Sequence, residues 1–239
     1  GIIDDPTGTW NLEKTGNGTL SLSGANTYDG VTTISQGTFR TEHGSALGTT
    51  TGGTVIASGA TLDVRGQNLG EELITVSGAG VGGDGAIINT TGTPFNLAHV
   101  TMADNATFGG TQRWDIRQSG APTLDMGGFD LTKTGTNQVS LVNVAVSNPG
   151  NIDIQQGTFN IEGTTNLGGS SANTVTIDPN GTLYFWSSSV AHDWSILSNG
   201  GTIRTASGNA VWDGPATLNN TTTFQTDSGT TFTMNGAIG

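Results

Sequence analysis

Apolar and polar residues alternate in short runs along almost the whole chain. Thr19-Leu20-Ser21-Leu22-Ser23 is one such run. Thr61-Leu62-Asp63-Val64, Phe129-Asp130-Leu131, Ile152-Asp153-Ile154, Thr158-Phe159-Asn160-Ile161, Val175-Thr176-Ile177 and Thr231-Phe232-Thr233-Met234 repeat the pattern. A period of two sends successive side chains to opposite faces of a strand, and the spacing of a helical face is nearly absent. The runs end in turn formers, as at Gly16-Asn17-Gly18, Ser58-Gly59, Pro179-Asn180-Gly181 and Ser228-Gly229. The pattern predicts about twenty strands of three to five residues, spaced by roughly ten.

These runs also recur as one larger unit. Ile34-Ser35-Gln36-Gly37-Thr38-Phe39, closing at Ala46-Leu47-Gly48, returns as Ile154-Gln155-Gln156-Gly157-Thr158-Phe159, closing at Asn166-Leu167-Gly168. Leu12-Glu13-Lys14-Thr15-Gly16 returns as Leu131-Thr132-Lys133-Thr134-Gly135, and Gly59-Ala60-Thr61-Leu62 as Asn180-Gly181-Thr182-Leu183. The displacement is about 120 residues at each landmark, which marks a repeated structural unit. Short strands at this spacing suit a sandwich, a barrel or a β-solenoid. Duplication favours the solenoid, because each coil stacks on a similar coil and growth by repetition is natural to it. Stacked coils pair in parallel about 4.8 Å apart, with Val, Ile, Leu and Phe in internal rows. We expect one continuous solenoid over residues 1–239 with homologous halves 1–125 and 126–239. The junction falls between Met126 and Leu131, after the turn-like Asp125-Met126-Gly127-Gly128.

Composition narrows the function classes. The chain of 239 residues has 39 glycines, 33% hydrophobic and only 11% charged residues, with a formal net charge of −12 and a sequence pI near 4.2. Its seven basic residues are scattered, which argues against a nucleic-acid or anionic-membrane partner. Cysteine is absent, so there is no disulfide framework and no thiolate metal site. No apolar run is long enough for a membrane-spanning helix. Both ends of the sequence read as strand or turn without a polar cap, so the chain is expected to be part of a longer parent chain or to associate end to end.

The stretch from Leu12 to Phe39 carries more specific information. It reads Leu12-Glu13-Lys14-Thr15-Gly16-Asn17-Gly18-Thr19-Leu20, then Gly24-Ala25-Asn26-Thr27-Tyr28-Asp29-Gly30, then Thr33-Ile34-Ser35-Gln36-Gly37-Thr38, with Ala46-Leu47-Gly48 as its close. This closely resembles the autotransporter-associated β-strand repeat of passenger proteins of type V secretion. The second copy, 131–168, departs in its middle, where Val144-Ala145-Val146-Ser147-Asn148 replaces Gly-Ala-Asn-Thr-Tyr. The resemblance implies an all-β, right-handed parallel β-helix of about ten to twelve coils in the passenger or stalk of a bacterial surface or secreted protein. It brings no catalytic residue. In it Gly16, Gly18, Gly24, Gly30 and Gly37 serve turns with φ above zero, Leu20, Leu22, Ile34 and Phe39 are core rungs, and Asn26 stacks its amide on a neighbouring coil.

Chemistry-bearing constellations are few. Nucleophile elbow, phosphate loop and His-Glu-x-x-His motifs are missing, and no cofactor, metal or catalytic residue is expected. His43, His99 and His192 share no ligand spacing and read as exposed turn or coil residues. In Arg113-Trp114-Asp115-Ile116-Arg117 the alternation turns Trp114 and Ile116 inward and the charges outward, giving a solvated strand face, with Asp125 and Asp130 following. Glu71-Glu72 and Asp4-Asp5 read as solvated loop acids. Gly82-Gly83-Asp84-Gly85 is a plain turn, since a calcium-binding glycine-aspartate array needs several consecutive units. Leu183-Tyr184-Phe185-Trp186, followed by Trp194, is the most aromatic stretch and has no counterpart in the first half. Tyr184, Trp186 and Trp194 are therefore the candidate glycan contacts, against the plainer reading in which alternate aromatics fill the core and Trp194 covers a loop. The function expected is a structural extracellular segment, a rigid stalk, spacer or filament unit. A glycan-binding adhesin module, and behind it a polysaccharide lyase-like enzyme, are the alternatives.

Overall fold

The alternating runs do stack on one another. The computed structural model describes residues 1–92 and 96–239. Twenty-two strands form among them, and a single 3-10 turn, Val81–Gly83, is the one helical element among the described residues. Every strand pairing among them is parallel. The protein is a β-solenoid in which each coil contributes up to three strands, one to each of three faces.

The second face carries the longest internal row. Leu20, Phe39, Leu62, Ile87, Phe108, Lys133, Ile154, Ile177, Ser198 and Leu218 stand in consecutive register, ten coils deep. The eight from Phe39 to Ser198 are fully buried. At about 4.8 Å per coil the stack is on the order of 50 Å long. Burying each Leu, Ile or Phe rung stabilises the stack by about 1.5–3 kcal/mol, and the ladder satisfies the backbone that closes over it.

The two motif copies do not sit on the same face. On the first face Leu12 stacks through Thr32, Thr54, Ile74 and Val100 to Leu124. Its counterpart in sequence, Leu131, lies seven residues further on and belongs to the second face, between Ala106 and Ile152. The displacement is therefore five coils and one extra face, and the second copy of the motif is turned by one face about the solenoid axis. Local geometry survives this rotation. Lys14 donates to the carbonyls of Thr15 (2.8 Å), Gly16 (2.6 Å) and Gln36 (3.0 Å), and Lys133 to those of Thr134 (2.6 Å), Gly135 (2.9 Å) and Gln156 (3.0 Å).

Two expectations about turns change. Pro179-Asn180-Gly181 lies inside one strand, Thr174–Trp186, which crosses a solenoid corner with a bulge: the register shifts after Ile177, with Asp178 and Pro179 skipped, and pairing resumes with Asn180 on Gln156 and Gly181 on Gly157. Of the five motif glycines only Gly16 and Gly37 have positive φ, 70° and 66°. Gly30 is required for room instead, since a Cβ there would run into the carbonyl of Trp10 on the coil below. Asn26 behaves as a stacking amide, donating to the Ala46 carbonyl at 2.8 Å and accepting from the Ile3 amide at 2.9 Å.

Candidate ligand-contact face

The third face supplies the molecule's densest group of charged and aromatic side chains. Its inward row runs Trp114, Val139, Phe159, Leu183, Ile203, Phe224. One residue further along each strand, the outward row runs Asp115, Ser140, Asn160, Tyr184, Arg204, Gln225. Strand alternation thus turns Trp114 and Ile116 into the core, and the Trp114 indole donates to the Gly109 carbonyl at 3.0 Å.

The charges of this face are not simply solvated. Asp115 is 0% exposed, covered by Arg113, whose Nε and Nη2 reach its two oxygens at 2.7 and 3.0 Å. Arg117 Nη2 lies 3.0 Å from Glu162 Oε1, and Arg113 Nη2 3.5 Å from Glu162 Oε2. Burial pulls Arg113 down, but Asp115 and Glu162 outweigh it and hold the guanidinium above its ordinary value. Asp125 and Asp130 are not part of the group. Asp125 is bonded by Asn148 and the Gly127 amide, which hold it below the usual carboxylate range, and Asp130 accepts from Asn151.

Tyr184 and Trp186 point outward between the buried Leu183 and Phe185. Their ring centres are 6.4 Å apart and tilted by 53°. Arg204 stands over the Tyr184 ring, 5.4 Å from its centre, and is itself held by Asp227 at 2.6 Å. Trp186 is 44% exposed and in register with Glu162. Trp194 is elsewhere: it is fully buried, with its indole donating to the Gly168 carbonyl at 2.6 Å. Of these three aromatics, Tyr184 and Trp186 lie at the surface and Trp194 is a core residue.

Several ionisable groups lie inside the solenoid, where the sequence suggested none, Glu72, His192 and Lys133 among them. Glu72 is 2% exposed because strand Gly70–Gly78 turns it inward with Ile74 and Val76; it accepts from Thr54 at 2.7 Å, and burial pushes it up to about 7. His192 is 4% exposed among Phe185 and Trp212, and burial pulls it down to about 4 against the opposite pull of Asp193 and Asp213. Lys133 is 0% exposed, and burial pulls it down to about 7, while the three carbonyls around its amine favour the charged form. A polar residue at an inward position of an alternating run was the signal available for Glu72 and Lys133. His99, by contrast, lies toward the surface and contacts Glu71 at 3.0 Å. Among the described residues no group of three His, Cys, Asp or Glu side chains could hold a metal ion, and no helix is long and apolar enough to cross a membrane.

Fold and site together define the class: a parallel β-solenoid with one charged, aromatic face and a repeated lysine corner. Residues 12–40 match the family model described as passenger-associated-transport-repeat. The chain is also 38% identical over 79 residues to an "Adhesin BmaC autotransporter" of Brucella suis biovar 1 (strain 1330), a match that spans 33% of this chain and 2% of that protein. No solved structure matches the chain. The chain thus carries an autotransporter-associated repeat, and its fold and repeat fit a passenger segment of a surface protein.

Proposed function

We propose that this chain is a rigid, non-catalytic spacer of an extracellular or cell-surface passenger, one length of β-solenoid that holds other parts of a longer chain away from the cell. The observation that carries this reading is the ten-coil row from Leu20 to Leu218, in which every coil is fixed to the next by packing and backbone pairing. Such a stack resists bending, because a bend would open the ladder on one side. The repeated lysine corner supports a further part of the proposal: halves 1–125 and 126–239 arose by duplication of a unit that need not be a whole number of coils.

Small-angle X-ray scattering of the purified chain tests the reading. A rod on the order of 50 Å long is expected. A flexible chain or a sphere of equal mass would exclude a spacer. A length that grows with concentration would identify end-to-end association of copies.

A further inference from the structure

The third face offers more than stiffness. Val142, Glu162 and Trp186 follow one another in register up the solenoid. Beside them lies a shallow, open cavity of about 380 Å³ lined by Arg117, Gln118, Ser119, Val142, Asn143 and Glu162, the shape of a surface groove that a chain ligand can lie along. The exposed Trp186 thus follows, one coil on, the backbone position of Glu162, whose carboxylate stands at the cavity wall. Beneath that wall, Asn160 is 1% exposed; its amide nitrogen lies 3.2 Å from Glu162 Oε2 and its amide oxygen has no donor.

The chemistry of this surface selects its ligand. The arginines, Arg113, Arg117 and Arg204, are each held by a carboxylate, Asp115, Glu162 or Asp227. The face is therefore locally balanced on a chain of net charge −12, and has no unbalanced cation to attract an anion. It presents an aromatic plane together with planar groups that make paired hydrogen bonds. Sugars match both, with C–H faces that lie on an indole and vicinal hydroxyls that pair with guanidinium and carboxylate. The rise of one coil is also close to that of one sugar in an extended β-linked chain, so a glycan along the axis meets one coil per residue.

We propose that the third face between Arg117 and Trp186 binds an uncharged, β-linked glycan, with one ring stacked on Trp186 and the next sugar's hydroxyls in the cavity at Arg117, Asn143 and Glu162. The site is independent of the spacer reading, which is tested by shape alone.

Titration of the intact chain with cellotetraose, chitotetraose and laminaritetraose, followed by tryptophan fluorescence and calorimetry, tests it. At least one of these neutral probes is expected to bind saturably. Trp186→Ala is expected to weaken binding roughly tenfold or more, Trp186→Phe to keep most of it, and Arg117→Ala to weaken it without loss of fold. Urea midpoints of the variants serve as the control for folding. The proposal is overturned if none of the three probes binds, if Trp186→Ala binds as the parent does, or if sialyllactose binds better than every neutral probe. A rod-shaped chain without glycan affinity would keep the spacer and remove this site.

Discussion

Lys14 and Lys133 hold equivalent sets of three carbonyls from two different faces of the solenoid. Each lysine stands one coil below an isoleucine, Ile34 or Ile154, in an inward row, and turns its amine into the corner. The amine closes a corner where two carbonyls of one coil and one of the next converge. The motif is thus a corner-building unit, indifferent to which pair of faces the corner joins.

Removing the amine leaves those carbonyls without their shared donor. Lys133→Met keeps the stem and is expected to cost about 1–3 kcal/mol in urea unfolding. Lys14→Met is expected to fall in the same range, since its three partners are the same. A cost confined to one of the two lysines would contradict the equivalence of the corners.

His192 makes the protein sensitive to acid. Its folded value, about 4, lies below the ordinary 6.5, so the native state favours the neutral ring. The stability it supports is fully present above pH 6.5 and is lost as pH falls from 6.5 towards 4, a loss of about 3 kcal/mol in all. His192→Phe, which keeps an aromatic ring against Phe185 and Trp212, is expected to gain on the parent progressively through that window. Parallel melting curves of the two proteins at pH 7 and pH 4 would measure the gain.

Glu72 acts in the opposite sense. Burial raises it from 4.5 to about 7, so the protonated acid suits the interior. Its contribution is fully present below pH 4.5 and is lost as pH rises through 7. Glu72→Gln, an uncharged isostere that can still accept from Thr54, is expected to match the parent at pH 4 and to exceed it at pH 8. Equal midpoints at pH 8 would place the native carboxylate outside the core.

Glycine substitutions separate strain from crowding. Gly59 has φ 82°, and a methyl added there would meet nothing within 4 Å, so Gly59→Ala should cost about 1–2 kcal/mol from backbone strain alone. Gly37, at φ 66°, would also drive a methyl into the carbonyls of Gly16 and Gly18. Gly37→Ala is expected to cost clearly more than Gly59→Ala, as compared by urea midpoints.

Much of this architecture was legible in the order of residues. Alternation marked the strands that became the rows of Leu62, Ile154 and Phe159, but it left open which of the aromatics in Leu183-Tyr184-Phe185-Trp186 face outward. The turn formers at Pro179-Asn180-Gly181 mark a solenoid corner rather than the end of a strand: the register shifts there and pairing resumes at Asn180. Local pattern puts Glu72 and His192 at the surface, since a charged or polar side chain is seldom buried and only its neighbours on other coils supply the enclosure. Trp194 could not be placed from local pattern, because its burial depends on the Gly168 corner one coil below.

Local composition and repetition by themselves determined that this chain makes short parallel strands, stacks them coil on coil and carries an autotransporter-associated corner motif. These follow from side-chain alternation and backbone pairing, which act between near neighbours and leave a periodic trace. Tertiary structure alone decided that the second motif is turned by one face, that His192 is interior, and that Arg117, Glu162 and Trp186 meet on one surface. Those outcomes depend on coil lengths, which accumulate from one turn to the next. A difference of a few residues per coil moves a side chain from one face to another without altering the pattern around it.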